Sequence, residues 1–287
     1  MKNYILLLIS ISFSTITNSQ TNFNGNWEGV MIRAGRVIEN GIPFKLEIQS
    51  KDNKISGYSR EEILKTNEYA LKQVTGYLKE NKIKIHQTVI EKKSKSSKTK
   101  WCRLTAELIY NKNTGYLEGK FESIDCKRFI GKIILYKCQN KLIKKHTEQI
   151  NHNWFNEFVY GIKENLNAPE IRIKERKNFI FKPVFFDFDK YIIRPEFHNF
   201  LDEITKIVKG HSDLRIKVVG HTDSDGTEEY NIILSKKRSE SIIEYFSTKG
   251  IARDRIEFDF KGEKMPIDTN STNEGRQRNR RVDFFFI

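Results

Sequence analysis

Asp223 and Arg238 are the two side chains whose types and spacing point most directly to chemistry. Asp223 stands where the apolar run Ile216, Val218, Val219 gives way to Gly220, His221 and Thr222, so it marks the end of a strand. Residues 230–249 read as a helix stopped by Gly250. Within it Asn231, Leu234, Ser235 and Arg238 are three, four and seven apart and share one face. That face can look back at the strand end. An acid and a guanidinium across a small pocket suit a zwitterionic amino-acid head: the carboxylate takes the ammonium, and the guanidinium takes the carboxylate in a fork. A structural salt bridge is the plainer reading of the same two residues. His221 could act as a base, but no nucleophile converges on it, and a packed turn residue suffices. Asp187, Asp189, Asp223 and Asp225 could hold calcium, yet their spacing fits no EF-hand loop. No catalytic residue, metal or cofactor is expected.

The elements that must position this pair form an α+β pattern. Residues 184–190 read as a buried strand ending in acids. Pro195 opens a helix striped by Leu201, Ile204, Ile207 and Val208. Residues 214–220 are the next strand, the 230–249 helix follows, and residues 256–260 and 282–287 are the last strands. The order is β-α-β-α-β-β, helices on one sheet. Gly226 and Gly262 are expected at turn positions with unusual backbone angles.

These motifs carry a resemblance. Gly220-His221-Thr222-Asp223-Ser224-Asp225-Gly226, then Tyr230-Asn231, Leu234-Ser235 and Arg238, resembles the peptidoglycan-associating signature of OmpA-like C-terminal domains. Asn270, Gly275-Arg276 and Asn279-Arg280-Arg281-Val282 resemble its closing motif, and Phe186-Asp187-Phe188-Asp189-Lys190 its opening strand. The likeness spans about residues 183–287. Phe260-Lys261-Gly262-Glu263 departs from the usual Gly-aromatic-Gly-Glu by losing the first glycine. The resemblance implies non-covalent binding of peptidoglycan through the diaminopimelate of the stem peptide. It also implies that Thr222, Asp189, Asn231 and Arg280 complete a pocket around Asp223 and Arg238.

Residues 24–138 alternate strand and turn. Phe44, Leu46 and Ile48 have period two, as do Leu104, Ala106, Leu108 and Tyr110. Asn111-Lys112-Asn113-Thr114-Gly115 is a hairpin signal. Consecutive hairpins imply an all-β antiparallel meander, closed as a small barrel or a sandwich. Phe23-Asn24-Gly25-Asn26-Trp27-Glu28-Gly29 resembles the opening of lipocalin-like barrels, where the Trp closes the bottom; a first strand whose Trp plugs a core reads equally well. A transmembrane barrel is not expected, because lysines interrupt nearly every strand. Cys102 and Cys126 end neighbouring strands and are the preferred disulfide; Cys138 is then left buried and inert. Residues 92–100 carry five lysines and read as a solvated hairpin loop. Trp154, Phe155, Phe158, Val159 and Ile162 have helical spacing and mark a connector helix, broken at residues 165–169.

Met1-Lys2-Asn3, the apolar run over residues 4–14 and the pair Thr17, Ser19 read as a secretory signal cut after Ser19. The run is well short of the ~20 residues that span a bilayer. With 51 Lys and Arg against 37 Asp and Glu, the formal charge is +14, which favours an anionic partner. Export sets nucleic acid aside and points to envelope polymers.

The expected organisation is a signal peptide (1–19), an all-β domain (20–138), a helical connector (139–177) and an OmpA-like domain (178–287). The expected function is a periplasmic tether associated with cell wall and outer membrane. The C-terminal domain grips peptidoglycan, and the β domain holds a cargo, an envelope protein or the outer membrane. Two alternatives are a lipocalin-like carrier of an apolar ligand, and an enzyme acting on envelope glycan. The enzyme would need a carboxylate pair, for which Glu61, Glu62, Glu107 and Glu122 are available. Asp223→Ala and Arg238→Ala are each expected to abolish wall retention with the fold intact.

Overall fold

The computed structural model describes residues 21–66, 68–95, 99–144 and 152–287. The signal segment, its cut at Ser19, the middle of the lysine-rich stretch and residues 145–151 of the connector lie outside the described residues.

Eight antiparallel strands close into a barrel. They are β1 (Gly25–Arg33), β2 (Ile42–Lys51), β3 (Lys54–Ile63), β4 (Glu68–Lys79), β5 (Lys82–Lys93), β6 (Leu104–Tyr110), β7 (Tyr116–Ser123) and β8 (Ile130–Cys138). Each pairs with the next, and β1 closes on β8 from Asn26↔Cys138 to Arg33↔Gly131. Lys92 and Lys93 belong to β5, opposite Leu71 and Ala70, and not to the loop the sequence placed them in.

The period-two pattern sends Trp27, Phe44, Leu46, Ile48, Val74, Ile85 and Leu108 inward, where they form one core. Trp27 is buried at one end, its indole Nε1 donating to Phe23 O at 2.9 Å, its ring edge-on to Tyr110. Among the described residues these side chains pack together across the barrel interior, which speaks against an open carrier cavity there. Outward positions carry ion pairs, Lys84 with Glu107 (3.3 Å) and Lys132 with Glu118 (2.6 Å). Apolar inside and charged outside is the reverse of a transmembrane barrel. Glu61 and Glu62 are likewise committed to Lys72 and Arg60, each at 2.5 Å.

Cys102 and Cys126 form a disulfide, joining the β5–β6 loop to the β7–β8 loop. Cys126→Ser is expected to lower barrel stability by about 3 kcal/mol, the chain-entropy value for so short a bridged segment. Urea unfolding of oxidised protein against the variant checks it. Cys138 is half-buried, and burial with the nearby Glu28 carboxylate pushes its thiol up to about 12.

The connector holds two helices, α1 (Asn153–Lys163) and α2 (Pro169–Asn178). The sequence offered one. Pro169 ends nothing: at the first position of α2 its missing N–H costs no hydrogen bond. α1 lays Phe155, Phe158 and Val159 on Val30, Tyr116, Ile134 and Tyr136 of the barrel wall. α2 faces the C-terminal domain through polar groups, Arg176 with Asp213 (3.1 Å) and Lys206 with Glu175 (3.6 Å).

The C-terminal domain runs β9 (Val184–Phe185), α3 (His198–Lys209), β10 (Ile216–Gly220), α4 (Glu228–Thr248), β11 (Ile256–Phe260), α5 (Asn273–Asn279) and β12 (Arg281–Phe286). The sheet order is β11-β10-β12-β9, with β10 parallel to β11 and antiparallel to β12. α3 and α4 bury Leu201, Ile204, Ile242 and Phe246 with Val184, Ile216, Val218 and Phe284 of the sheet. Two differences from expectation matter for the site. β9 is two residues long, because the chain turns at residues 187–190 and Asp189 takes φ 59°. α5, capped by Thr272 accepting from Gly275 N at 3.1 Å, was not foreseen.

Candidate ligand-binding site

The candidate residues converge where β10 ends. Gly220 closes that strand, and a Cβ there would stand 2.1 Å from Ser235 O of α4. Only glycine lets the helix lie so near. His221, Thr222 and Asp223 follow, all under 5% exposed. Thr222 N donates to Gly262 O at 2.9 Å. Gly226 and Gly262 both take positive φ, which their turns demand. Thr227 then caps α4 by accepting from Tyr230 N at 3.2 Å, which sets Asn231, Ser235 and Arg238 facing the strand end, all buried.

Asp223 and Arg238 are neighbours but not direct partners. Asp223 Oδ2 takes Arg280 Nη1 at 2.6 Å, with both side chains largely buried. Arg238 is fully buried and spends its donors on three carbonyls: Nε on Lys190 O (2.9 Å), Nη1 on His221 O (2.9 Å) and Nη2 on Asp187 O (3.2 Å). Its plane also lies over the Phe186 ring, 5.4 Å from the centroid. Burial pulls the guanidinium down to about 10, opposed by the Asp223 charge. Three of its five N–H groups are committed, leaving two.

Three buried polar atoms here have no hydrogen-bond partner among the described residues: His221 Nδ1 and the two acceptors Thr222 Oγ1 and Asn231 Oδ1. Orphaned buried groups are costly, about 1–3 kcal/mol each, so each calls for a partner such as an ordered water or a ligand. The amide nitrogen of Asn231 donates to Glu263 Oε2 at 2.5 Å. Asp189, strained at positive φ, accepts from the Tyr230 hydroxyl.

Sequence reasoning missed Glu263, Gln277 and the aromatic rim. Gln277 braces Arg280 through its side-chain oxygen, while Phe188, 60% exposed, lies 5.9 Å from the Arg280 guanidinium. Glu263 was legible as the closing acid of the 260–263 segment. The rest depend on α5, which was not. His221 is a buried residue whose Nε2 lies 3.3 Å from Asp283 Oδ2. Burial raises the Asp283 carboxyl, but the His221 bond and the Arg281 charge outweigh it and hold the group below its usual range. Asp187 pairs with Lys190 and Arg194, and Asp225 with Arg276, so the four acids do not gather around one point.

Residues 185–280 match the OmpA family. The chain is 46% identical over 103 residues to "Outer membrane protein A" of Bordetella avium, covering 36% of this chain and 53% of that protein. It is 35% identical over 101 residues to "Peptidoglycan-binding protein ArfA" of Mycobacterium tuberculosis, covering 35% and 31%. The chain thus spans about half or less of these relatives. Among solved structures, the peptidoglycan-associated lipoprotein from Burkholderia pseudomallei is similar at 29% identity over 37% of this chain and 90% of that one, TM-score 0.36. Residues 185–280 are an OmpA family domain, set behind an eight-stranded antiparallel barrel.

Proposed function

We propose that this chain binds peptidoglycan non-covalently through its C-terminal domain and tethers the barrel to the cell wall of the envelope. The ligand head is the zwitterionic end of diaminopimelate in the stem peptide. The observation that carries this reading is the set of unused acceptors beside Asp223. An ammonium has three donors; the Asp223 carboxylate, Thr222 Oγ1 and Asn231 Oδ1 offer three acceptors, two of them orphaned. The ligand carboxylate goes to Arg280 and to the two spare N–H groups of Arg238. Asp189, held by Tyr230 on the turn that covers Arg238, forms the pocket's edge. The relative named for peptidoglycan binding supports the ligand class.

The test is retention of the full chain on purified peptidoglycan. Asp223→Asn keeps the shape and removes the charge, and it is expected to weaken retention roughly thirtyfold or more, as for truncating one side of a buried charge pair. Free diaminopimelate should release the wild-type chain. Undiminished sedimentation of Asp223→Asn would show that the pocket is assigned wrongly. Salt should leave pocket binding largely in place, while stripping any adhesion through exposed lysines.

A further inference from the structure

The excess charge is confined to one half of the chain. Residues 21–144 hold 25 Lys and Arg against 13 Asp and Glu, whereas residues 181–287 hold 19 of each. The wall-binding half is neutral, so the cationic character belongs to the barrel and needs its own explanation.

Within the barrel the two ends differ. The turns at residues 51–54, 79–82 and 111–115 lie at one end. There the chain reaches α2, with Ala168 N donating to Thr114 O at 2.7 Å. The loops β1–β2, β3–β4, β5–β6 and β7–β8 lie at the other end. On that remote end Arg36, Lys65, Lys93, Lys95, Lys127 and Arg128 are exposed, and their side chains have no partner among the described residues. Of the acids there, Glu39, Glu68 and Asp125 are tied to Lys163, Thr99 and Arg103. Glu91 accepts from Gln73 Nε2 at 3.2 Å, and Glu122 remains. Among the cations the same end exposes aliphatic side chains: Val37 at 59%, Ile124 at 55% and, at the start of β8, Ile130 at 51%. The Cys102–Cys126 disulfide ties two of these loops together.

Arg36 also borders a groove of about 1100 Å³ whose apolar lining includes Ile32, Phe121 and Ile130. Its acids Glu107 and Glu118 are neutralised by Lys84 and Lys132, which leaves Arg33, Arg36 and Lys120 in its lining against Glu122.

We propose that this remote loop end docks on the surface of an anionic phospholipid bilayer. The cations meet lipid phosphates, and Val37, Ile124 and Ile130 enter the headgroup boundary. A hydrated polyanion, whether polysaccharide or nucleic acid, satisfies the cations but gives exposed aliphatics nothing to leave water for. Cations interleaved with aliphatic tips are the pattern of an interfacial surface. The barrel then has its membrane face at the end away from α2, although α1 also reaches toward that face through His152 with Glu62 and Lys163 with Glu39. The inference goes beyond the wall-binding reading and does not rest on it.

The full chain is sedimented with vesicles of phosphatidylglycerol and phosphatidylcholine, and with phosphatidylcholine alone, in the absence of peptidoglycan. Binding to the anionic vesicles only is expected. Arg36→Glu/Lys65→Glu/Lys127→Glu should weaken it about tenfold or more, given the strength of cation attraction to an anionic surface. Lys51→Glu/Lys54→Glu/Lys82→Glu, the same charge change at the opposite end, should weaken it by less than about threefold because that end stands off the surface. Val37→Ser/Ile124→Ser should weaken it about threefold or more through lost apolar burial. Equal binding to neutral vesicles, equal loss in the two charge-reversal variants, or capture of dextran sulfate without vesicle binding would each overturn the proposal. Since no wall is present, failure here leaves the Asp223 assignment standing, and failure of that assignment leaves this one.

Discussion

Arg238→Ala is expected to destabilise the C-terminal domain by about 2–4 kcal/mol, since it orphans the buried His221 carbonyl, at about 1–3 kcal/mol, and removes a donor from the part-buried carbonyls of Lys190 and Asp187. The carbonyls of Asp187, Lys190 and His221 converge on this guanidinium, although Asp187 O also accepts from Lys190 N at 3.2 Å within its own turn. Two of them sit on the turn after β9 and one at the end of β10, so Arg238 staples the opening turn to the strand that carries Asp223. The chain's three tryptophans, Trp27, Trp101 and Trp154, all lie before this domain. Tryptophan fluorescence therefore follows the barrel and connector, while amide exchange along α4 follows the C-terminal domain. The expected result is faster exchange throughout α4 with the fluorescence transition unmoved. Full protection of α4 in the variant would mean that the carbonyls find other partners and that Arg238 is not a staple. The sequence-based expectation of an intact Arg238→Ala fold is revised accordingly. Loss of wall retention in that variant reports on folding as much as on contact with ligand, which is why Asp223→Asn is the sharper probe.

The difference between those two residues shows what the sequence could and could not convey. The period-two alternation of β2 and β6 marks barrel strands because the pattern is local. The face shared by Asn231, Ser235 and Arg238 was legible for the same reason. What Arg238 bonds to was not: its partners lie 17, 48 and 51 residues away, and they are carbonyls, which leave no mark on residue type. The Asp223–Arg280 pair spans 57 residues and depends on α5, whose run Asn273–Asn279 holds no apolar stripe to reveal a helix. α2 was hidden similarly, being mostly charged and buried on neither face. Elements held by caps and polar contacts are thus the ones a hydrophobic pattern misses, and one of them, α5, carries Gln277 and leads into Arg280.

Lys72→Met is expected to cost the barrel about 3–5 kcal/mol, the range for breaking a buried ion pair by removing one partner. In the sequence this lysine reads as an interruption of β4. In the fold it points inward, opposite Ser59 and two positions before the core residue Val74, and is fully buried. Its three ammonium donors are all used: on Glu61 Oε1 at 2.5 Å, Gln87 Oε1 at 3.2 Å and Cys102 O at 2.6 Å. Gln87 in turn donates to Ser59 and Glu61 and accepts from Leu104 N. Met fills the space but leaves the Glu61 carboxylate without a cation. Lys72→Met/Glu61→Gln should restore stability to within about 1–2 kcal/mol of wild type, because a buried pair replaced as a unit is often neutral. Burial, outweighing the attraction of Glu61, holds the Lys72 ammonium below its ordinary value. The unfolded chain therefore keeps this proton to higher pH than the folded one. This site adds stability as pH rises from the folded value towards the unfolded value of 10.5, a gain both variants should lack. Urea titrations followed by tryptophan fluorescence at neutral and alkaline pH measure both effects. A single variant as stable as wild type would show that Glu61 is protonated or hydrated in the native barrel. A double variant no better than the single would assign the loss to Met packing, not to the stranded charge.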